Sequence, residues 1–152
     1  MDGATLETVQ GWLREAPHVA VLTGAGISAE SGVPTFRDAQ TGYWARFRPE
    51  DMATEEGFRA QPALVWRWYQ HRRQMLQGVQ PNAAHLALAE YAQRHPGRLT
   101  LITQNVDGLH GAAGAEQVIE IHGNIHTLRC TGCDRTRAVQ DHQFVAFGLR
   151  GE

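Results

Sequence analysis

The sequence predicts an α/β fold with a doubly wound parallel sheet, because short apolar segments alternate along the chain with amphipathic ones. Residues 18–23, 99–103 and 118–121 are short runs rich in Val, Ile, Leu and Thr, as is typical of strands that are buried in parallel sheets. The alternation of such strands with helical segments favours parallel pairing through crossover connections. With only three strands visible, the sheet is small, and the last stretch, 134–152, has no strong pattern.

The helical segments are predicted from apolar residues that recur at helical spacing. The first covers about residues 4–15, the second 62–77, and the third begins after the N-cap Asn82 and ends near Arg94, before Pro96 and Gly97. Residues 33–60 lack a clear period, which indicates a long functional loop with short helical pieces. The expected apolar faces consist of Leu6, Val9, Trp12 and Leu13 on the first helix, and of Leu64, Val65, Trp68, Met75 and Leu76 on the second.

Length and composition indicate a single globular domain. The chain has 152 residues, of which 42% are hydrophobic, and a formal net charge of −2. This charge excludes a strongly basic nucleic-acid binder, and no apolar run is long enough to span a membrane. The N-terminal residues lack the features of a secretory signal, and two cysteines do not form a disulfide framework. We therefore expect a cytoplasmic protein without a nucleic-acid or membrane partner.

A glycine-rich segment directly follows the first predicted strand. Residues 24–29 match the pattern G-x-G-x-x-G/A, with Gly24, Gly26 and Ala29 at the three marked positions. Such glycines let backbone N–H groups approach a pyrophosphate. The same residues also suit a tight turn without a ligand, and the acidic residue expected on a second strand about 20 residues later is missing. The motif alone leaves both interpretations open.

Polar residues follow the second and third predicted strands at their carboxyl ends, where open α/β sheets bind ligands. After the second strand, Gln104, Asn105 and Asp107 offer two amides and a carboxylate, although an Asx turn would use the same residues. After the third strand, His122 precedes Gly123 and is suited to act as a general base near neutral pH. Its position distinguishes His122 from the other seven histidines.

The two cysteines, Cys130 and Cys133, form a C-x-x-C motif. This motif is typical of half a zinc site or of a redox pair. Because the pair does not open a helix after a strand, as thioredoxin-type sites do, half a zinc site is favoured. His126 and His142 are further candidate ligands, at a spacing that matches no strong pattern.

In this order, the motifs resemble those of the sirtuins, the NAD-dependent protein-lysine deacylases. The resemblance lies in residues 24–38, 103–110 and 122–124 and in the cysteine pair, and extends from about residue 5 to residue 140. It implies an incomplete Rossmann-like parallel sheet with the start of a small zinc-binding domain inserted. Residues 1–124 would form the N-terminal part of the NAD-binding domain, with a helical insertion at about 40–80. Residues 125–152 would begin the zinc-binding domain.

The resemblance also implies the binding site for NAD. Its pyrophosphate would lie over Gly24, Ala25 and Gly26, in the segment that contains Ser28. Other parts of NAD would be held by two groups of residues. Near the nicotinamide ribose, a flexible loop would carry Phe36 and Arg37. Asp107 would hold the carboxamide, while the ribose and an ordered water would be held by Gln104 and Asn105.

The implied reaction consumes NAD and transfers no hydride. The acyl-lysine carbonyl oxygen would attack C1′ of the ribose as nicotinamide leaves. His122 would then accept a proton from a ribose hydroxyl, which would allow that oxygen to attack the imidate carbon. The products would be free lysine, nicotinamide and O-acyl-ADP-ribose, and the substrate would be an acyl-lysine protein or peptide.

Tyr69 and Arg72 lie three residues apart on the second predicted helix and share a face. They resemble the Tyr-x-x-Arg pair of the sirtuin subgroup that removes succinyl, malonyl and glutaryl groups. An arginine offers a bidentate partner to a distal carboxylate, and a tyrosine hydroxyl adds one hydrogen bond. A solvated, arginine-rich helix face would match the same pattern. We expect an acidic-acyl pocket, with deacetylation as a further activity.

Parts of the sirtuin pattern are absent from the sequence, namely the second cysteine pair and the later strands. We therefore expect a fragment or a truncated product, with two of four zinc ligands. A non-catalytic NAD- or ADP-ribose-binding fragment and a sirtuin-like mono-ADP-ribosyltransferase are the alternative functions. A hydride-transferring dehydrogenase is disfavoured because the ribose-binding acid is missing.

Overall fold

The computed structural model describes residues 2–34, 46–133 and 135–139. Its sheet and helices confirm the predicted α/β class. In chain order the elements are α1 (Gly3–Glu15), β1 (Val19–Thr23), a 3₁₀ helix (Ala25–Ser31), α2 (Pro49–Met52), α3 (Glu55–Ala60), α4 (Pro62–Met75), α5 (Ala83–Arg94), β2 (Leu99–Thr103), α6 (Leu109–Ala112), β3 (Val118–Glu120), β4 (Thr127–Arg129) and β5 (Thr136–Ala138). Among these residues no helix is long and apolar enough to cross a membrane.

Strands β1, β2 and β3 form a parallel sheet in that order. The register pairs Thr23 with Thr103, and Thr103 in turn with Glu120, so that all three strands end at one edge. Polar residues that follow the three strands are thereby brought to the same side of the molecule. This edge is the one at which open parallel sheets bind ligands.

The sheet buries one face only. On that face Thr23, Leu101 and Thr103 are buried, and so are Leu109 and His110 of α6. On the opposite face Leu22 and Ile119 are 63% and 52% exposed. Consecutive parallel strands added in one direction through right-handed crossovers place their connecting helices on the same face. The strand order therefore accounts for the uncovered side.

A second apolar cluster lies in the insertion between β1 and α5. Met52, Val65 and Trp68 are buried there, and four partly buried hydrophobic residues pack against them, namely Phe47, Phe58, Leu64 and Tyr69. The prediction for the second helix was correct for Leu64, Val65 and Trp68. Met75 is the last residue of the helix and is 36% exposed, and Leu76 follows it half-buried, so these two residues do not belong to this cluster.

Helix α1 occurs as predicted, with Asp2 as its N-cap. Its apolar face is not a core face, however, because none of its residues is buried and Trp12 is 67% exposed. Its C-terminal end is fixed to the rest of the fold by Arg98, which donates to the carbonyl oxygen of Ala16. Periodicity thus identified the helix correctly, whereas burial depended on which elements surround it.

Strands β4 and β5 form an antiparallel hairpin in which Leu128 is paired with Arg137. The sequence after residue 134 shows no pattern, so β5 was not predicted; its three residues are all exposed. A strand with both faces in solvent carries no alternation of apolar and polar residues, so its sequence gives no signal. The hairpin presents the C-x-x-C motif in its turn.

Candidate functional site

A cavity of about 540 Å³ lies at the carboxyl edge of the sheet. Ligand pockets in proteins have volumes of about 300–1,000 Å³. Its polar lining comes from residues on four segments that are distant in sequence. These are Ser28, Tyr69, Arg72, Gln104, Asn105, Asp107 and His122, and the apolar lining includes Ala25, Val33, Pro34, Met75, Leu76, Val106 and Ile125.

The glycine-rich segment forms the turn between β1 and the 3₁₀ helix. Gly24 is the N-cap, and Gly32 ends the helix with a φ of 81°, a left-handed conformation that glycine adopts without strain. Ser28 is the buried residue of this helix, with 1% of its surface exposed. The turn therefore points one hydroxyl inward at the base of the cavity.

Ser28 connects the glycine-rich turn to the loop that follows β2. Its Oγ donates to Asp107 Oδ2 over 2.7 Å and accepts from Asn105 Nδ2 over 3.1 Å. Asn105 Nδ2 also donates to the Gly24 carbonyl oxygen over 3.1 Å. These contacts join residues about 80 positions apart and hold the Asn105 amide and the Asp107 carboxylate at the cavity wall.

The loop after β2 is shaped by local bonds and by a second clamp. Asp107 Oδ1 accepts from the Leu109 amide over 3.0 Å, which is an Asx turn, and Gly108 has a φ of 75°. The Ile125 amide donates to the Val106 carbonyl oxygen over 2.9 Å. The Asx-turn alternative and the ligand-site hypothesis are thus compatible, because Asp107 uses one oxygen for the turn and lines the cavity as well.

His122 follows β3 and lines the same cavity, as its position in the sequence predicts. It is exposed. The turn that carries it is fixed by a bond from the Gly123 amide to the Glu120 carbonyl oxygen over 3.1 Å. The imidazole is thus held on a closed turn with access to solvent and to the cavity.

Tyr69 and Arg72 enter the cavity from α4. The Arg72 guanidinium lies over the ring of buried Trp68, 5.0 Å from its centroid. Burial raises the pKa of the Tyr69 hydroxyl, and Arg72 acts in the opposite direction. Burial also lowers the pKa of Arg72, but arginine remains cationic in proteins. The pair therefore offers a cation and a neutral hydroxyl on one wall.

Two buried histidines, in contact with Ser28 and Thr23, escaped the sequence analysis. His85 and His110 are 0% and 3% exposed, and their ring centroids are 4.9 Å apart. His85 Nε2 lies 3.4 Å from Ser28 Oγ, and His110 Nε2 lies 2.9 Å from Thr23 Oγ1. For His85 a signal existed, because it is the third residue after the N-cap Asn82, where a capping-box partner lies. His85 does form that box with Asn82.

Some predicted site residues do not line the cavity. Gly24 and Gly26 are absent from its lining, although Gly24 binds Asn105 through its carbonyl oxygen. The space where a Cβ of Gly26 would lie is open, with no atom within 4 Å. Phe36 and Arg37 lie outside the described residues. The roles assigned to all these residues remain predictions.

Cys130 and Cys133 lie in the turn of the β4–β5 hairpin, both exposed and free. A backbone hydrogen bond from Arg135 lowers the pKa of the Cys133 thiol, with smaller contributions from the Arg135 and Cys130 side chains. A structural zinc ion takes four ligands. In the part of the chain that the structure describes, no three His, Cys, Asp or Glu residues come together to hold a metal. These residues therefore do not form a complete zinc site, and His142 lies outside the described ranges.

A family comparison identifies the chain. The model of the Sir2 family matches residues 24–146, which include the glycine-rich turn, the β2 and β3 loops and the cysteine pair. The chain belongs to the Sir2 family. This confirms the resemblance that the motifs carried, and the mixed α/β architecture agrees with the Sir2 fold.

Curated relatives of this Sir2 chain are named NAD-dependent protein deacylases. The protein from Ralstonia nicotianae is 55% identical over 137 residues, which are 88% of this chain and 55% of the relative. The protein from Methylococcus capsulatus is 55% identical over 122 residues, which are 80% of this chain and 48% of the relative. The chain thus spans about half the length of the curated relatives that it matches.

Solved structures show the same likeness. A crystal structure of a Sir2 homologue in complex with NAD has a TM-score of 0.76 and 47% sequence identity, covering 88% of this chain and 51% of the solved one. A second Sir2 structure, in complex with an inhibitor, 2′-O-acetyl-ADP-ribose and a deacetylated peptide, has a TM-score of 0.70 and 31% identity, covering 89% and 53%. The likeness to this chain therefore extends over about half the length of each solved protein.

Proposed function

We propose that this Sir2 chain supplies the NAD and acyl-lysine site of an NAD-dependent protein-lysine deacylase. The observation that carries the proposal is the cavity at the carboxyl edge of the sheet. It gathers Ser28, Asn105, Asp107 and His122 with the Tyr69/Arg72 wall. The names of the curated relatives support the same activity.

The cavity fits NAD by its size and by its donors and acceptors. One oxygen of Asp107 accepts from Ser28 and the other from the Leu109 amide. A carboxylate has about four lone-pair positions, so Asp107 has the capacity to accept from the carboxamide N–H₂ of nicotinamide. Gln104 and Asn105 offer amides to a ribose. The open space at Gly26 suits close approach of a pyrophosphate.

His122 is the proposed general base. It is exposed and lines the cavity, and histidine is the side chain that most readily exchanges protons near neutral pH. It would accept the proton of a ribose hydroxyl. Across the reaction, acyl-lysine, NAD and water give free lysine, nicotinamide and O-acyl-ADP-ribose.

Tyr69 and Arg72 define the proposed acyl preference. A cation on the wall of a partly apolar cavity pairs with the distal carboxylate of a succinyl, malonyl or glutaryl group, and charge-assisted bonds are roughly twice as strong as neutral ones. The Tyr69 hydroxyl, whose pKa burial raises, stays protonated and donates a further bond. An acetyl group lacks the carboxylate and would gain nothing from Arg72.

The test is mass-spectrometric. The chain is incubated with NAD and with matched succinyl-lysine and acetyl-lysine peptides, and deacylated peptide and O-acyl-ADP-ribose are measured. We expect turnover of the succinyl peptide, lost in His122→Ala. If NAD carries a label and the label remains attached to protein, the result would indicate ADP-ribosyl transfer in place of deacylation. NAD binding without nicotinamide release would indicate a binding fragment.

A pair of arginine variants tests the acyl pocket. Arg72→Met should lower kcat/KM for the succinyl peptide on the order of tenfold or more, because one charge-assisted bond contributes about 1.5–3 kcal/mol. The acetyl peptide should be affected much less. Arg67→Met on the same helix is the matched control, since Arg67 is exposed and does not line the cavity. Equal losses with both peptides would contradict the pocket.

We propose further that Cys130 and Cys133 supply two of the four ligands of a structural zinc ion. Metal analysis of the monomer tests this, because one ion per monomer requires ligands that those residues do not supply. The domain division at residue 124 remains part of the same proposal. Two exposed free thiols favour a reducing compartment such as the cytoplasm.

A further inference from the structure

His110 is a buried titratable group that the proposed chemistry does not use. It lies on α6, 3% exposed, and its Nδ1 has no hydrogen-bond partner within the part of the chain that the structure describes. Its Nε2 lies 2.9 Å from Thr23 Oγ1. A buried imidazole nitrogen without a partner costs free energy, so its presence in a folded protein calls for an explanation.

The hydroxyl chain beyond His110 determines which nitrogen carries the proton. Thr23 Oγ1 donates to Thr103 Oγ1 over 2.9 Å. A hydroxyl has one proton, so Thr23 accepts from His110, and the imidazole donates through Nε2–H. Thr103 Oγ1 also accepts the backbone amide of Asn105 over 3.0 Å. The chain therefore runs from His110 to the backbone of a residue that lines the cavity.

His85 constrains the same imidazole. The Nδ1 of His85 accepts from the backbone amide of Asn82 over 3.3 Å, so the proton of the His85 ring lies on Nε2, which faces Ser28 Oγ. Ser28 in turn donates to Asp107. The two rings meet edge to face, 4.9 Å between centroids. A proton on Nδ1 of His110 would create a buried donor without an acceptor beside a second imidazole.

We propose that His110 is a positioning residue of the cavity: as a neutral Nε2–H imidazole it directs the Thr23–Thr103 hydroxyl chain that fixes the backbone of Asn105. The proposal rests on the proposed function only in taking NAD as the ligand.

The surroundings favour the neutral form. Burial lowers the pKa of His110, His85 lowers it further, and the Asp107 carboxylate opposes this. Burial lowers the pKa of His85 as well, again opposed by Asp107. Among the elements packed around the pair, β1 and β2 carry no titratable side chain. The 3₁₀ helix carries exposed Glu30, and the charged residues of α5 lie in its C-terminal half, Glu90 paired with Arg94.

The first experiment needs no ligand. Histidine ¹⁵N NMR of the full chain at pH 7.5 should find His110 neutral with its proton on Nε2. On acidification the amide resonance of Asn105 should shift together with the His110 ring. In His18→Gln, a control at the opposite end of β1, this coupling should persist. A proton on Nδ1, a charged ring at pH 7.5, or an Asn105 amide that ignores His110 overturns the proposal.

The second experiment measures the Kd of NAD by calorimetry for two matched variants. Glutamine places an N–H near the position of Nε2, whereas asparagine is too short to reach Thr23. We expect His110→Gln to bind NAD within about twofold of the unmodified chain at pH 7.5, and His110→Asn to bind at least tenfold more weakly. At pH values below the pKa of His110, the Kd of the unmodified chain for NAD should rise as the pH falls. This rise should exceed the rise for His110→Gln by up to tenfold per pH unit.

The outcomes separate the two proposals. If His110→Asn binds NAD as tightly as the unmodified chain, the positioning role is wrong while NAD binding stands. If the unmodified chain does not bind NAD, the proposed function fails for this chain. In that case the NMR arm alone decides whether His110 fixes Asn105, since it requires only the folded protein.

Discussion

Ser28→Ala is the substitution whose cost the structure defines most completely. Ser28 is 1% exposed, so no solvent replaces the bonds that its hydroxyl makes. The variant removes a 2.7 Å bond to the Asp107 carboxylate and a 3.1 Å bond from the Asn105 amide. A third partner, His85 Nε2 at 3.4 Å, is at the limit of hydrogen bonding and contributes least.

The magnitude follows from the two shorter bonds. A hydrogen bond to a charged group contributes roughly 1.5–3 kcal/mol and a neutral one about 1 kcal/mol. We expect the free energy of unfolding to fall by about 3 kcal/mol. At roughly 2–4 °C per kcal/mol for a chain of this size, this corresponds to roughly 6–12 °C in Tm.

Urea unfolding at pH 7.5, followed by circular dichroism and tryptophan fluorescence, measures the change. Ser31→Ala is the matched control, because Ser31 is only partly buried and accepts one 3.0 Å bond from Asn82. It should cost about 1 kcal/mol. A Ser28→Ala variant within 0.5 kcal/mol of the unmodified chain would refute the argument that Ser28 holds the two loops together.

Three further outcomes are expected. Asn82→Ala should lower the free energy of unfolding by about 2 kcal/mol, because it removes the N-cap of α5 together with a 2.7 Å side-chain bond to a carbonyl oxygen of the 3₁₀ helix; urea unfolding measures this loss. Gly57→Ala should be destabilising by roughly 1–3 kcal/mol, although alanine normally favours helices, because its Cβ would lie 1.9 Å from the Asp51 carbonyl oxygen; an unchanged or raised Tm would contradict that clash. Acidification should lower stability: burial lowers the pKa of His85 and His110, so the unfolded chain binds more protons below about pH 6.5, and each costs up to about 1.4 kcal/mol at pH 5.5. Unfolding curves at pH 7.5 and 5.5 check this, and a curve unaffected by pH would show that the pair is charged or exposed.

Local sequence signals predicted much of the fold. Strand β2 has the predicted bounds, and Asn82 is the predicted N-cap of α5. The N-cap depends on contacts within a few residues, and the strand, although it pairs with distant segments, shows in the sequence as a run of apolar and β-branched residues. Helix α4 was predicted two residues too long, since Leu76 lies in a turn closed by bonds to Arg73 and Gln74. A terminal turn of this kind has the same apolar spacing as a helix, so periodicity did not distinguish them.

The candidate site was predictable where motifs follow strands. Gln104, Asn105, Asp107 and His122 line the cavity because parallel strands end at one edge, a rule that needs only the strand positions. Tyr69 and Arg72 were singled out by a family pattern, and their entry into the same cavity depended on how α4 packs. The apolar spacing of α4 alone favours no particular neighbour.

By itself the sequence determined the three strands of the parallel sheet, the three longer helices α1, α4 and α5, and the family, since these show in local spacing and in residue order in motifs. Tertiary structure alone decided which polar groups meet. Ser28 binds Asp107 across 79 residues, and His85 meets His110, because register and helix packing bring them together. It also decided that the apolar face of α1 and one face of the sheet remain exposed, because burial is a property of the neighbours and not of the segment that carries the pattern.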